Sequence, residues 1–332
     1  MENRSFIPRG AASYQVDYDG PPKDYYFVLL PKLTLLAFTS AIEPLRIANQ
    51  ITNRTLYRWH LMTRDGQPVS CSCGVTITPD SELIDISRHA SAFICSGIEP
   101  AETLVPQLTT WISRQITNGA KVGGICTGAF ALAKAGLLKR RRFTLHWENQ
   151  PGFEEMFLDL TPTGTIYEND NGLLTCGGGS AATDMMLDII ENDHGANLAA
   201  LVADMGLHTR NTTGSVPQQS AYAHALSSRN PHLIAAMDFM AQNIEYPVEI
   251  TDIADEIGIS RRQLERHFKR YVSATPAQFY LEMRINRAHA LLNETSLSIA
   301  EIAAATGFGS SSQFSTRFRK RYGKPPNAYR KG

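Results

Sequence analysis

Cys126 sits where an enzyme would keep a nucleophile. In the stretch GGICTGAFALAKAG, Gly123 to Gly136, a short apolar strand ends in the cysteine, small residues follow, and a helix-like run begins. This is the pattern of a strand-to-helix elbow with one side chain at its tip. A cysteine nucleophile needs a lowered thiol pKa or a base beside it, and donors for the developing oxyanion. The start of a helix offers a positive dipole end and free amides, that of Thr127 among them. Gly97, in the loop after FICSG, is the candidate second donor, and Glu43 in SAIEPLR and His146 in LHWEN are the candidate partners. The same groups would also serve binding. Amides after Cys126 suit a carboxylate, and Glu43 with the face of Trp147 suits a cationic head, the ring by cation–π attraction. A small zwitterion fits that pairing. Each residue also has a packing role open to it: Cys126 at a tight turn, Glu43 as a cap near Pro44, His146 and Trp147 in the core.

A second group of chemistry-bearing residues lies near the C-terminus. From Ser260 onward there are 14 Lys and Arg against 4 Asp and Glu, whereas residues 1–230 hold 18 against 22. A basic third on a chain of zero net charge points to an anionic partner for that part alone. Within it, Arg261, Arg262, Glu265, Arg266 and Lys269 share one helical face. Ser311, Ser312, Gln313, Ser315, Thr316, Arg317 and Lys320 share another. These side-chain types hydrogen-bond bases and phosphates in the DNA major groove.

The elements that must position these residues differ between the two parts. Residues 1–22 are polar and rich in Gly and Pro, and read as a loose tail. Over 23–195, strand-like runs such as DYYFVLL, LYRWHLMT, SAFICSG and KVGGI alternate with helix-like ones. Such alternation implies a parallel sheet covered on both faces, with ligands beyond the carboxyl ends of its strands. The helix LTLLAFTSAIEPLRIANQ reads as interrupted near Pro44. Residues 196–230 read as an interdomain linker with a short helix at QQSAYAHAL, and everything from 231 to 332 reads as helix.

That last part contains a duplication. Ile253, Ala254 and Gly258 recur as Ile302, Ala303 and Gly307, and Leu264, Phe268, Pro276 and Phe279 as Phe314, Phe318, Pro326 and Tyr329. The offset grows from 49 to 50, so the second turn carries one extra residue. Each copy reads as helix, glycine turn, helix: a helix-turn-helix. Ser260 with Gln263 and Ser310 with Gln313 read as capping boxes that open the second helices. Leu281, Ile285, Ala288 and Leu292 form the stripe of one helix joining the copies. If both motifs read one DNA face, their recognition helices lie about 34 Å apart. The bland alternative is a helical partner-binding bundle.

Five cysteines with no framework spacing read as reduced thiols, and Cys71-x-Cys73 is not the usual zinc spacing. No metal or cofactor is expected. No apolar run reaches membrane-spanning length, and MENRSFIPRG lacks a signal-peptide core, so a cytoplasmic location with no membrane contact is expected.

The C-terminal residues DIADEIGISRRQLERHFKRY, RINRAHALL and EIAAATGFGSSSQFSTRFRKRYGKPP resemble the DNA-binding domain of the AraC/XylS family of bacterial transcription regulators. The N-terminal part resembles the class I glutamine-amidotransferase-like superfamily, which implies a flavodoxin-like α/β fold. With AIEPLRIANQ, ICTGAFALAKAGLL, TLHWE and TCGGGSAATDMMLDII, the whole chain is similar to GlxA-type regulators, which join the two domains. Within these it is most similar to regulators of quaternary-amine and glycine-betaine catabolism. One departure stands out. Peptidases of the superfamily have His after the nucleophile, where this chain has Thr127. Amidotransferases use a downstream His followed by Glu, and no complete triad of that kind is visible around Cys126. The resemblance implies promoter DNA, a small-molecule effector, RNA polymerase and a second copy of the chain as partners, and an activator rather than an enzyme. The rivals are a cysteine-dependent amidase with a DNA-binding tail and a constitutive DNA binder with a vestigial domain.

Overall fold

The computed structural model describes residues 14–210, Gln218 and residues 230–330. The short helix expected at QQSAYAHAL lies outside them but for Gln218. The chain divides into two compact units, Met1–Gln218 and Gln219–Gly332.

The first unit runs β1 (Lys23–Leu29), α1 (Leu35–Thr52), β2 (Tyr57–Met62), β3 (Val69–Ser70), β4 (Thr76–Ile77), β5 (Ser91–Cys95), α2 (Pro106–Thr117), β6 (Lys121–Ile125), α3 (Ala129–Lys134), α4 (Gln150–Met156), β7 (Tyr167–Asp170), β8 (Leu173–Cys176), α5 (Ala181–His194) and α6 (Ala196–Met205). Six strands form one sheet in the order β2-β1-β5-β6-β8-β7, with β3 and β4 a separate hairpin. All neighbours in the large sheet are parallel except β7 against β8. Apolar runs buried on both faces produce this: Phe27 and Phe93 join a core with α1, α5 and α6, while Val28 and Ile94 join the opposite core with α2, α3 and α4.

Three local expectations change. Helix α1 continues through Pro44 without a break. Proline at 44 leaves the Ser40 carbonyl without its helical donor, and the Thr183 hydroxyl of α5 supplies one at 3.2 Å. Residues 14–22, expected in a loose tail, pack on the sheet domain: the Tyr14 amide donates to the Ile51 carbonyl at 2.8 Å, and Tyr14, Val16 and Tyr18 lie on the core. Residues 196–210, expected in the linker, belong to the first unit. Helix α6 buries Leu198, Ala199, Val202 and Ala203, His208 bonds Asp184 at 3.0 Å, and Arg210 pairs with Glu191.

Among its described residues the second unit is all helical: α7 (Pro231–Gln242), α8 (Ile250–Glu256), α9 (Arg261–Tyr271), α10 (Pro276–Glu294), α11 (Ile299–Ala305), α12 (Ser311–Tyr322) and α13 (Pro326–Arg330). Leu264 and Phe268 of α9 centre one small core, and Phe314 and Phe318 of α12 centre the other. Helix α10 enters both, with Phe279 and Tyr280 in the first and Ile285, Ala288, Leu291 and Leu292 in the second. It also carries Arg284, which donates to the Thr306 and Gly307 carbonyls at 2.9 and 2.6 Å and lies 4.5 Å from the Phe308 ring centre. One helix thereby holds the turn of the second motif.

Candidate functional site

Strand β6 delivers the chain to the carboxyl edge of the sheet, and Cys126 turns it there. Its φ is +60°, a left-handed conformation that a β-carbon disfavours. The elbow is therefore present in the backbone. Its tip, however, is covered. Gly178 (φ +84°) lies so close that a β-carbon there would stand 2.7 Å from the Cys126 Cβ and 3.1 Å from Sγ. The thiol is buried, 3.7 Å from the Thr34 hydroxyl at the start of α1. Burial pushes its pKa up, the Thr34 hydroxyl and the Thr127 amide pull it down, and the Glu148 carboxylate adds a further push upward. The outcome is a pKa above the ordinary thiol value. Cys95 and Cys176, which flank Ile125 in register on β5 and β8, are raised by burial too, Cys176 to about 12. This is a neutral thiol among neutral thiols, the reverse of an activated nucleophile.

The other candidates fall into two groups. Thr127 and Gly97 meet each other beside Cys126: the Thr127 hydroxyl donates to the Gly97 carbonyl at 2.6 Å, which occupies that side chain. The helix after them is only 6 residues long, and the Thr127 amide is turned to the thiol, so the dipole end expected to take a carboxylate is weak and partly used. His146 is half-buried, its pKa lowered first by burial and opposed by Glu148, whose carboxylate is 4.0 Å from Nδ1. Trp147 follows it, also half-buried. Glu43 stands apart. It is exposed, pairs with Arg46 at 2.6 Å, and follows Thr34 by nine residues, about 13 Å along a helix.

Three participants escaped the sequence reading. Gly178 was signalled only by the run of glycines from 177 to 179. Thr34 carried no signal. Gln218 comes from the segment read as a linker: its side chain accepts from the Trp147 amide at 2.9 Å and donates to the Thr144 hydroxyl and the Leu145 and Thr165 carbonyls, all within 2.9 Å. A β-carbon on Gly177 would lie 2.6 Å from that amide, so the glycine makes room for it.

Two cavities lie outside the elbow. One, of about 300 Å³, opens at the carboxyl ends of β1, β2 and β5. A broader cleft of about 730 Å³ crosses the amino-terminal edge. Its Lys23 is paired with Asp193 and its Arg58 with Asp24, and it lies at the edge where open α/β sheets do not place ligands.

In the second unit the polar faces expected to meet DNA are exposed: Arg261, Arg262, Glu265, Arg266 and Lys269 on α9, and Ser311, Ser312, Gln313, Thr316 and Arg317 on α12. Arg261 is paired with Glu265 at 3.0 Å. The turn glycines Gly258 and Gly307 have φ of +72° and +70°. The capping box at Ser260 and Gln263 is complete. At the second motif only half of the expected box forms. Ser310 accepts from the Gln313 amide, but the Gln313 side chain accepts from the amide of Gly309, the extra residue of that turn, at 3.2 Å. A complete box instead opens α11, at Ser298 and Glu301.

Comparison with known proteins agrees with both units. The DJ-1/PfpI family matches residues 37–192, and a helix-turn-helix domain family matches residues 253–332. The HTH-type transcriptional regulator GbdR of Pseudomonas aeruginosa is 36% identical over 94% of this chain and 85% of its own length. CdhR of the same species is 37% identical over 92% and 90%, and GlxA of Rhizobium meliloti 36% identical over 92% and 94%. The chain belongs to the AraC family of transcription regulators that carry a DJ-1/PfpI domain. A THiJ/PfpI family protein from Pseudomonas syringae, 17% identical with a TM-score of 0.50 over 73% of this chain and 92% of its own, shares the fold. As an AraC-family chain the protein is a DNA-binding regulator whose DNA-binding part is the second unit. Among its described residues no helix is long and apolar enough to cross a membrane.

Proposed function

We propose that this AraC-family chain switches transcription in response to a small zwitterionic nitrogen compound, such as a quaternary amine, a betaine, carnitine or an amino acid. The first unit binds the compound without covalent turnover, and α9 and α12 read the promoter. The observation that carries this reading is the Cys126 elbow: its backbone is that of a nucleophile turn, yet its thiol is buried, protonated and covered by Gly178. A domain that keeps the shape of an active site without its chemistry, joined to two DNA-reading motifs, is suited to sensing. The effector class, action as a homodimeric activator and contact with RNA polymerase rest on the resemblance to GlxA-type regulators. The ligand must bind the DNA- or polymerase-competent state more tightly than the other, because equal affinities shift nothing.

A promoter–reporter assay tests this reading. Glycine betaine, carnitine and arginine are supplied in turn to cells carrying the wild-type chain or Cys126→Ala. One of them is expected to change transcription, equally in both. A response that disappears with the thiol, together with thiol-dependent consumption of the compound, would establish an enzyme instead.

A further inference from the structure

We infer that the effector seat is the cavity of about 300 Å³ at the carboxyl ends of β1, β2 and β5, rather than the Cys126 elbow, and that it takes a compact zwitterion with a cationic head. The inference rests on the reading of the first unit as a sensor and locates its site.

Topology comes first. In the order β2-β1-β5-β6, the chain leaving β1 passes through α1 to β2 on one side, and the chain leaving β5 passes through α2 to β6 on the other. The two connections lie on opposite faces of the sheet, since α1 joins one core and α2 the other. Their loops part between β1 and β5, which is the switch point where open α/β sheets leave a crevice. The cavity is at that point, walled by Leu30–Lys32 after β1, Thr63–Asp65 after β2 and Glu99–Thr103 after β5.

Its chemistry comes second. Val28, Leu30, Val105 and Leu108 give it an apolar floor. At the rim, Lys32 pairs with Glu99 and, at 3.3 Å, with Glu102, which leaves two carboxylates around one ammonium. Arg64 pairs with its neighbour Asp65 at 3.0 Å. The residual negative charge beside Lys32 suits a ligand cation, and Arg64 on the loop after β2, exposed and bonded to Asp65, has further guanidinium donors to offer a ligand carboxylate. An aliphatic stem between the two would lie on the floor. The volume is at the small end of ligand pockets, which selects metabolites of a few heavy atoms. Lys32 and Glu99 hold left-handed backbones, with φ of +60° and +54°, so both rim residues are kept in place against a local preference.

The test uses the full chain, with glycine betaine, carnitine and arginine as probes, read by thermal shift and titration calorimetry. Leu108→Trp fills the floor, and Glu99→Gln with Glu102→Gln neutralises the rim. The melting transition of the first unit without probe, followed by circular dichroism, reports whether each variant is folded. The wild-type chain is expected to bind at least one probe. The rim variant should bind it about tenfold more weakly or worse, and the filled variant not measurably. Should Leu108→Trp fail to fold, the rim variant, isosteric at both positions, decides alone. Wild-type affinity in the rim variant would overturn this site while leaving the sensor reading intact, whereas a wild-type chain that binds none of the probes would overturn both the ligand class and the sensor reading.

Discussion

At the scale of single residues, the chemistry turns on protonation. Cys126, Cys95 and Cys176 are buried with raised pKa values, Cys71 is buried and raised as well, and Cys73 is the exposed thiol. Since alkylation requires an accessible thiolate, iodoacetamide near neutral pH should modify Cys73 first, and the other four only after denaturation. Peptide mapping of the labelled protein checks this, and rapid native labelling of Cys126 would contradict the neutral-thiol account. The same shifts set a pH dependence. A thiol whose pKa is higher in the folded chain than in the unfolded one keeps its proton longer when folded. Its contribution is then complete below the unfolded value of about 8.5 and is lost as pH rises toward the folded value, about 12 for Cys176. The melting temperature should therefore fall between about pH 9 and pH 11, and less steeply in Cys176→Ala. An unchanged slope in that variant would remove Cys176 from the explanation.

Helices and turns carry the second group of consequences. Gly258 and Gly307 have the same left-handed backbone at equivalent points of the two motifs, but their surroundings differ. A β-carbon on Gly258 would meet nothing within 4 Å, whereas one on Gly307 would lie 2.4 Å from Pro247 Cγ and 2.6 Å from the Ile244 carbonyl oxygen. Gly258→Ala should cost about 1 kcal/mol, the conformational term alone, and Gly307→Ala about 3 kcal/mol once overpacking is added. Denaturant midpoints of the second unit's transition separate the two, and equal costs would deny the close approach. Ser273 stands where Gly323 stands in the second copy and is left-handed too, at φ +58°. Ser273→Gly should therefore stabilise the unit, by up to about 1 kcal/mol.

These elements also show what a sequence can reveal. The duplication was legible because Leu264 and Phe268, or Phe314 and Phe318, recur at helical spacing after a turn glycine, and both signals are local. The alternation that builds the sheet is local in the same way. Continuity of α1 through Pro44 was not legible, because the donor that repairs it, Thr183, lies 143 residues away. Residues 196–205 read as linker because Gly195 stops one helix and α6 becomes stable only by packing on α1 and α5. At the site, the backbone turn at Cys126 was readable from its small neighbours. The direction of Glu43 was not, because a helix position fixes a side chain's face only once the helix is docked, and here Arg46 holds it.

For the molecule as a whole, the proposed function has the second unit hold DNA through both motifs at once, and its charge suits that task. Arg262 and Arg317 are exposed and have no carboxylate partner among the described residues, whereas Arg261 is engaged with Glu265. Arg262→Ala should therefore weaken binding to the operator by about 1–3 kcal/mol and relax specificity at one base pair. Arg261→Ala should cost less, because the free protein already offers that side chain an ion pair. Lys269→Ala should weaken specific and nonspecific DNA alike and reduce the salt slope by about 1, the signature of a phosphate contact. Because α10 packs into both small cores, the two recognition helices act as one body, and losses from Arg262→Ala and Arg317→Ala should add in the double variant. Binding measured across operator variants and salt concentrations resolves these effects separately. If Arg317→Ala were silent, or if the double variant bound no worse than Arg262→Ala, only the first motif would be reading DNA.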